Sequence, residues 1–226
     1  MQLKLFFSPG SCSRVPLIAQ EELGLPFEAQ LVAFMAGEHK RPEYLALNPA
    51  GKVPTLVADG RPIVQNAAIQ WFLARSFPEA GLLPLTGETL ADAEILGQLA
   101  WFSSDLHPLV TRIRIPQFAC DIAPDRVKEM ASAAMAQQLL PLERALGGQE
   151  WVLASGWSTL DAYLQWVWFR ITGAEFDAGP FPNIAAHHER MSGRPSVQRV
   201  LARELDAEIE LERRGLAVKL APAGVN

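Results

Sequence analysis

The stretch from Asn48 to Ile69 (N-P-A-G-K-V-P-T-L-V-A-D-G-R-P-I-V-Q-N-A-A-I) constrains the fold more than any other part of this chain. Val53, Thr55 and Val57 alternate with Pro54, Leu56 and Ala58, the period-two pattern of a strand. Asp59-Gly60 is a hairpin signal, and Arg61-Pro62-Ile63-Val64 supplies the returning strand. Pro54 has no N–H, so the backbone around Val53 must join the sheet as an edge or after a bend. In the cis form of Val53-Pro54, the Val53 N–H and C=O would be turned sideways, free to pair with an extended peptide. Behind Val64, Gln65-Asn66 opens a helical run from Ala67 to Leu73. Asn is a favoured N-cap, and an exposed helix N-terminus attracts carboxylates and phosphates. A capped helix with no further role fits the pair equally well.

The flanking sequence completes a β-α-β-α-β-β-α order. Leu3–Phe7 reads as a strand ended by Ser8-Pro9-Gly10, followed by a helix with apolar Val15, Leu17, Ile18, Ala19 and Leu23. Gly24 stands where a C-cap glycine belongs, with Pro26 just beyond. Phe27–Phe34 reads as the second strand, and Gly37–Leu47 as a polar loop with short helical turns. That order suits a thioredoxin-like layer of sheet and helices. Pro78–Gly87 is rich in proline and glycine, and after it the strand signals stop. Helices are expected over Leu90–His107, bent at Pro108, over Asp125–Leu146, kinked at Pro141, over Asn183–Met191 and over Ser196–Arg213. Ser158-Thr159-Leu160-Asp161 is a capping box ahead of Ala162–Phe169, an all-round apolar run that should be a buried central helix. The fold class is therefore α/β plus all-α. Residues 1–80 form the thioredoxin-like domain and 81–87 the linker; 88–226 form a helical bundle with a loose tail from Gly215.

Bulk properties exclude several function classes. A net charge of −5 without a clustered basic face argues against nucleic acid, and no apolar run reaches the length of a membrane span. The segment before Ser8 is too short for a secretory signal. Two cysteines, Cys12 and Cys120, provide neither a disulfide framework nor a metal cluster, so a reduced, cytoplasmic setting is expected.

A backbone suited to holding a peptide, followed at once by a helix N-terminus suited to a carboxylate, resembles the glutathione transferase family. The most specific segment is G-E-H-K-R-P-E-Y-L-A-L-N-P-A-G-K-V-P-T-L, and the S-x-x-D box extends the resemblance over nearly the whole chain. S-P-G-S-C-S and S-D-L-H look most like the bacterial beta class. The resemblance implies a cis Pro54, with Val53 pairing with the cysteinyl part of glutathione. It implies that Gln65-Asn66 hold the γ-glutamyl end, Asn replacing the usual Ser. His39, Lys40 and Lys52 would hold the glycyl carboxylate. It also implies a homodimer in which Ser104 and Asp105 reach the partner's glutathione. Glutathione would be the co-substrate, without a metal, and a small hydrophobic electrophile the second substrate.

The chemistry expected is attack by the glutathione thiolate, favoured by hydrogen-bond donors at the sulfur. Cys12, at the start of the first helix, is either a small buried filler or a group placed beside that sulfur. Ser13 is a second candidate donor, and Ser11 is more readily a helix cap. The first strand carries Phe6 and Phe7 where the family often has Tyr, which throws the weight onto Cys12 and Ser13. His107 is a lone helical histidine that the beta-class resemblance points toward the thiol, whereas His187-His188 read as surface. Trp166, Trp168, Phe169, Ile113 and Ile115 could wall the electrophile pocket or belong to the core. The same residues leave room for glutathione-dependent thiol exchange through Cys12, for isomerisation, or for a non-catalytic glutathione-binding or regulatory protein.

Overall fold

A computed structural model describes residues 1–217 of the chain. Its N-terminal half-layer is a four-stranded sheet in the order β2-β1-β3-β4, built from β1 (Leu3–Phe7), β2 (Glu28–Leu31), β3 (Thr55–Ala58) and β4 (Arg61–Val64). β1 runs parallel to β2 across the crossover helix α1 (Arg14–Leu23), and antiparallel to β3. β3 turns back into β4 through Asp59-Gly60, where both residues take positive φ as the tight turn demands. α1 ends at Gly24 in the left-handed conformation. α2 (Pro42–Leu45) and α3 (Asn66–Ser76) complete this mixed β/α domain.

Everything after α3 is helical among the described residues, apart from one isolated bridge between Leu153 and Gly156. The helices are α4 (Thr89–Trp101), α5 (His107–Arg114), α6 (Pro124–Leu146), α7 (Thr159–Thr172), α8 (Pro182–Ser192) and α9 (Pro195–Arg213). α7 is the buried centre: of its 14 residues only Phe169, Arg170 and Thr172 keep part of their surface in solvent. Its capping box forms as the sequence indicates, with the Ser158 N–H donating to Asp161 at 2.8 Å.

Four expectations are adjusted. β2 stops at Leu31 because its partner β1 ends at Phe7; Val32 N–H still reaches the Phe7 carbonyl at 2.8 Å, but the next residues have no strand to pair with. The expected helix through His107 is interrupted earlier than Pro108. Phe102–Leu106 is a π turn, in which the His107 N–H bonds to the Phe102 carbonyl. Pro108 has no N–H for the regular ladder, and the wider turn resets the helix before it reaches that position. α6 begins one residue earlier than expected, with Pro124 in its first turn, and Pro141 lies inside it.

The fourth adjustment concerns His187, expected at the surface. It is fully buried, its Nε2 2.8 Å from Asp161 Oδ1. Asp161 lies 26 residues earlier in sequence, a partner that local spacing could not reveal. Its neighbour His188 is half-buried, and desolvation, with Arg14 and His187 nearby, pushes its pKa down to about 4. The tail expected beyond Gly215 falls largely outside the described residues.

Candidate active site

The sheet's C-terminal edge and the helical domain enclose a cleft of about 1200 Å³. Ser8, Ser11, Cys12, Lys52, Val53, Pro54, Gln65 and Asn66 form one wall. Ser103, His107, Arg114, Ile115, Tyr163, Trp166 and Arg170 form the other, with Leu211 and Leu216 at the end of α9 closing one side.

On the first wall the backbone is held in place by its own polar groups. The Val53-Pro54 bond is cis. The segment leading into it is pinned through the Lys52 carbonyl, which accepts from Tyr44 Oη at 2.6 Å and from Asn48 Nδ2 at 2.7 Å. Gln65 stands at the head of α3 with φ 74°, a left-handed conformation unusual for a residue with a side chain. Such outliers concentrate at ligand sites. Gln65, rather than Asn66, is the N-cap residue, and no side-chain cap covers the first N–H groups of α3. Asn66 instead turns inward. Its Nδ2 donates to the Cys12 carbonyl at 2.8 Å while its Oδ1 accepts from Gln70. The turn carrying Cys12 is thereby locked to the helix that faces the cleft.

Cys12 is at the cleft with 9% of its surface exposed, and its Sγ–H donates to the Val53 carbonyl at 3.5 Å. Burial pushes its thiol up to about 12, although the backbone hydrogen bond at Cys12 and the charges of Arg170 and Lys52 pull the other way. Cys12 is therefore a protonated thiol at neutral pH. Ser13, the other expected donor, is not brought to the cleft. It is fully buried, and its hydroxyl donates to the Ser8 carbonyl at 3.2 Å, accepts from the Ser8 N–H and contacts the Ser11 hydroxyl. Ser11 lines the cleft, and its own hydroxyl donates to the Ser8 carbonyl at 2.7 Å.

The cationic group sits at the far end of that wall. Lys52 lines the cleft, while His39 and Lys40 stand just outside it. A Cβ at Gly51 would lie 2.8 Å from Lys40 Nζ and 2.9 Å from the His39 carbonyl, so only glycine, here at φ 57°, lets these strands of chain converge. The His39 ring stacks on Phe34 with centroids 3.8 Å apart. Desolvation, then the Lys40 charge, lowers its pKa.

Across the cleft, the π turn and α5 present His107. Its Nδ1 is 3.0 Å from Tyr163 Oη, and its ring meets Trp166 edge-on at 4.6 Å. Desolvation, with the Lys52 charge adding to it, holds the His107 pKa down to about 4. Ser104 and Asp105 lie exposed on the same turn and outside this cleft; the Ser104 hydroxyl bonds to the Ala100 carbonyl and the Asp105 carboxylate. Of the aromatic and aliphatic wall candidates, Trp166 and Ile115 face the cleft. Ile113 is core, Trp168 packs on Phe176 and Phe181, and Phe169 receives the Arg14 guanidinium 3.9 Å above its ring.

The two walls meet at Gly10. Its carbonyl accepts from Trp166 Nε1 at 3.3 Å, and its N–H donates to Glu204 at 3.1 Å. Glu204 also takes Arg14 in a buried ion pair. Tyr163, Arg114 and Arg170 were not singled out from the sequence. A lone Arg closing the apolar run of α7 was the available signal, since a charge seldom ends a buried helix without a task.

The fold and the cleft define a two-domain protein of the thioredoxin-like plus helical-bundle kind. Residues 9–76 match the model of the glutathione S-transferase N-terminal domain. The chain is 30% identical over 204 residues to glutathione S-transferase GstA of Escherichia coli O157:H7, covering 89% of this chain and 98% of that one. A beta-class glutathione S-transferase of Sphingomonas chungbukensis superposes with TM-score 0.79 at 33% identity, over 89% of this chain and 98% of the other. A sphingomonad glutathione S-transferase solved with glutathione gives 0.77 at 30%, with the same coverage. The chain belongs to the glutathione S-transferase family and resembles its bacterial beta class.

Proposed function

We propose that this chain is a glutathione transferase that brings the glutathione thiol to attack a second, electrophilic substrate. The observation that carries this reading is the first wall: a cis-Val53-Pro54 edge, a bare α3 N-terminus behind a strained Gln65, and Cys12 between them. The γ-glutamyl carboxylate would meet the α3 N–H groups, where the helix dipole favours an anion. Val53 would pair with the cysteinyl backbone, and Lys52, with Lys40 nearby, would face the glycyl carboxylate.

At the sulfur the chain needs donors rather than bases. Neutral His107 is a donor at pH 7, and protonated Cys12 becomes one for the sulfur only by turning its S–H away from the Val53 carbonyl. In the tautomer where Tyr163 donates to Nδ1, the His107 proton would sit on Nε2, able to hydrogen-bond a thiolate. Each hydrogen bond to the anion lowers the glutathione thiol pKa toward neutrality. The same burial speaks against thiol exchange through Cys12, because exchange requires its thiolate.

The chain is read as a homodimer, with Leu90 and Leu96 exposed on α4 as part of the paired face. Light scattering of the purified protein tests this; a monomer at micromolar concentration would remove it. Calorimetric titration with glutathione followed by conjugation of 1-chloro-2,4-dinitrobenzene tests the main reading. Saturable binding with turnover above the uncatalysed rate is expected, and binding without turnover would overturn the transferase assignment.

A further inference from the structure

The helical wall holds two charges that the reading above does not use. Arg114 ends α5 and Arg170 lies in the last turn of α7; both are half-buried and both line the cleft. Among the described residues neither side chain makes a hydrogen bond or has a carboxylate within 4.0 Å; Arg114 Nε is buried without a partner, as are Arg190 Nε and Arg203 Nε, so the missing carboxylate is what sets this pair apart. The remaining arginines withdrawn from solvent behave otherwise. Arg14, Arg190, Arg194 and Arg203 each have a carboxylate, at 2.5, 3.9, 2.9 and 2.9 Å respectively. Residues 218–226, V-K-L-A-P-A-G-V-N, contain no acidic side chain that could serve.

Two guanidinium groups kept close together and partly out of water destabilise the free protein unless an anion joins them. Burial, followed by the charges of Arg114 and Arg14, drives the Arg170 pKa down to about 10, which records that cost. The charge of Glu204 offsets part of this at Arg170, but its carboxylate is already bonded to Arg14 and the Gly10 N–H. The acids that line the cleft, Glu208 and Glu212, are exposed on α9. Position also matters. Arg170 Nη1 would lie 3.2 Å from a Cβ on Gly10, so the guanidinium rests on the turn that leads into Cys12.

We infer that the electrophile-binding side of this cleft is built for a substrate bearing a carboxylate, which Arg114 and Arg170 hold while the reacting carbon faces the Cys12 turn. This rests on the transferase reading for the word electrophile, but not for the anion. Guanidinium groups match a carboxylate with paired N–H donors, and Ile115, Phe118 and Trp166 supply apolar surface for the body of the molecule. The class is a small acidic electrophile, such as an aryl halide or an unsaturated acid with its carboxylate about one ring away from the carbon attacked.

The test compares 4-chloro-3-nitrobenzoate with its methyl ester. In both, the glutathione sulfur bonds to the ring carbon, the carbon–chlorine bond breaks with chloride taking the electron pair, and the thiol proton passes to solvent. The carboxylate takes no part in bond making. Rates are each normalised to the uncatalysed reaction, because the ester is intrinsically more reactive. Wild type is expected to favour the acid by about tenfold or more in normalised kcat/KM; Arg170→Met and Arg114→Met should each erase most of that preference, and Arg170→Lys should keep part of it. Equal normalised rates for acid and ester in wild type, or an unchanged ratio in both methionine variants, would overturn the inference. Wild type alone decides the first point, so a variant that fails to fold leaves the test intact.

A binding arm separates this inference from the transferase reading. The unreactive 3-nitrobenzoate and its methyl ester are titrated into wild type and Arg170→Met with S-methylglutathione present. Preferential binding of the acid, weakened about tenfold in the variant, supports the arginine site even if no electrophile turns over, in which case only the transferase reading falls. Conjugation without any preference for the acid in either arm refutes the arginine site and leaves the transferase reading standing.

Discussion

The two walls of the cleft are built on opposite terms. On the thioredoxin-like side the backbone that shapes the wall is pinned by the chain's own side chains: Asn66 on the Cys12 carbonyl, Tyr44 and Asn48 on the Lys52 carbonyl, Ser13 among Ser8 and Ser11. On the helical side Arg114 and Arg170 stand without such partners among the described residues, and His107 has only Tyr163. A backbone pinned in this way presents its uncapped α3 N-terminus and Lys52 in a set geometry, which suits a constant co-substrate. On the reading proposed above, the second substrate would complete the helical wall.

The largest effect that would break this contrast concerns Cys12. With its thiol near 12, the thiolate fraction at pH 8 is about a thousandfold below that of an ordinary free thiol. Iodoacetamide should therefore alkylate Cys12 in the folded protein about a thousandfold more slowly than in urea, as followed by mass spectrometry of the Cys12 peptide. Rapid alkylation at neutral pH would mean that the first wall is open and poised for exchange.

Next is the seam between the walls. Glu204→Gln leaves the buried Arg14 without its counter-charge and should cost about 3–5 kcal/mol in urea unfolding, since the loss of one partner strands the other. A cost below about 1 kcal/mol would show that the walls are held together by packing alone.

His107 sharpens the contrast through pH. Its folded pKa, near 4, lies below the unfolded value of about 6.5, so between these values the unfolded chain binds a proton that the folded chain does not. The neutral-state contribution is complete above pH 6.5 and is lost as pH falls toward 4. Wild type should lose roughly 2 kcal/mol more than His107→Asn across that window, measured by denaturant unfolding at pH 7 and pH 4.5. Parallel curves would place a charged His107 in the native cleft.

The smallest effect tests the lock on the Cys12 turn. Asn66→Ala removes the donor to the Cys12 carbonyl and should cost about 1–2 kcal/mol of stability, with a several-fold weaker glutathione affinity by calorimetry. An unchanged affinity would mean that this lock does not position the first wall.

Much of this was readable in the chain. Asp59-Gly60, Gly24 and the Ser158–Asp161 box act through residues within a turn of each other, so local chemistry announced the hairpin, the end of α1 and the start of α7. The Asn48–Ile69 stretch announced the first wall for the same reason: strand, bend and helix head are consecutive. Steric and hydrogen-bonding preferences at this range are properties of the sequence itself. Only the tertiary structure decided the rest. It turned Ser13 inward, buried His187 on Asp161, joined His107 to Tyr163 across 56 residues, and brought Arg114 and Arg170 to one cleft. Those encounters depend on how α7 and α9 pack on α1, and α5 and α8 on α7. Packing is set by the sum of many weak apolar contacts, and no spacing of polar residues along the chain encodes which of them will meet.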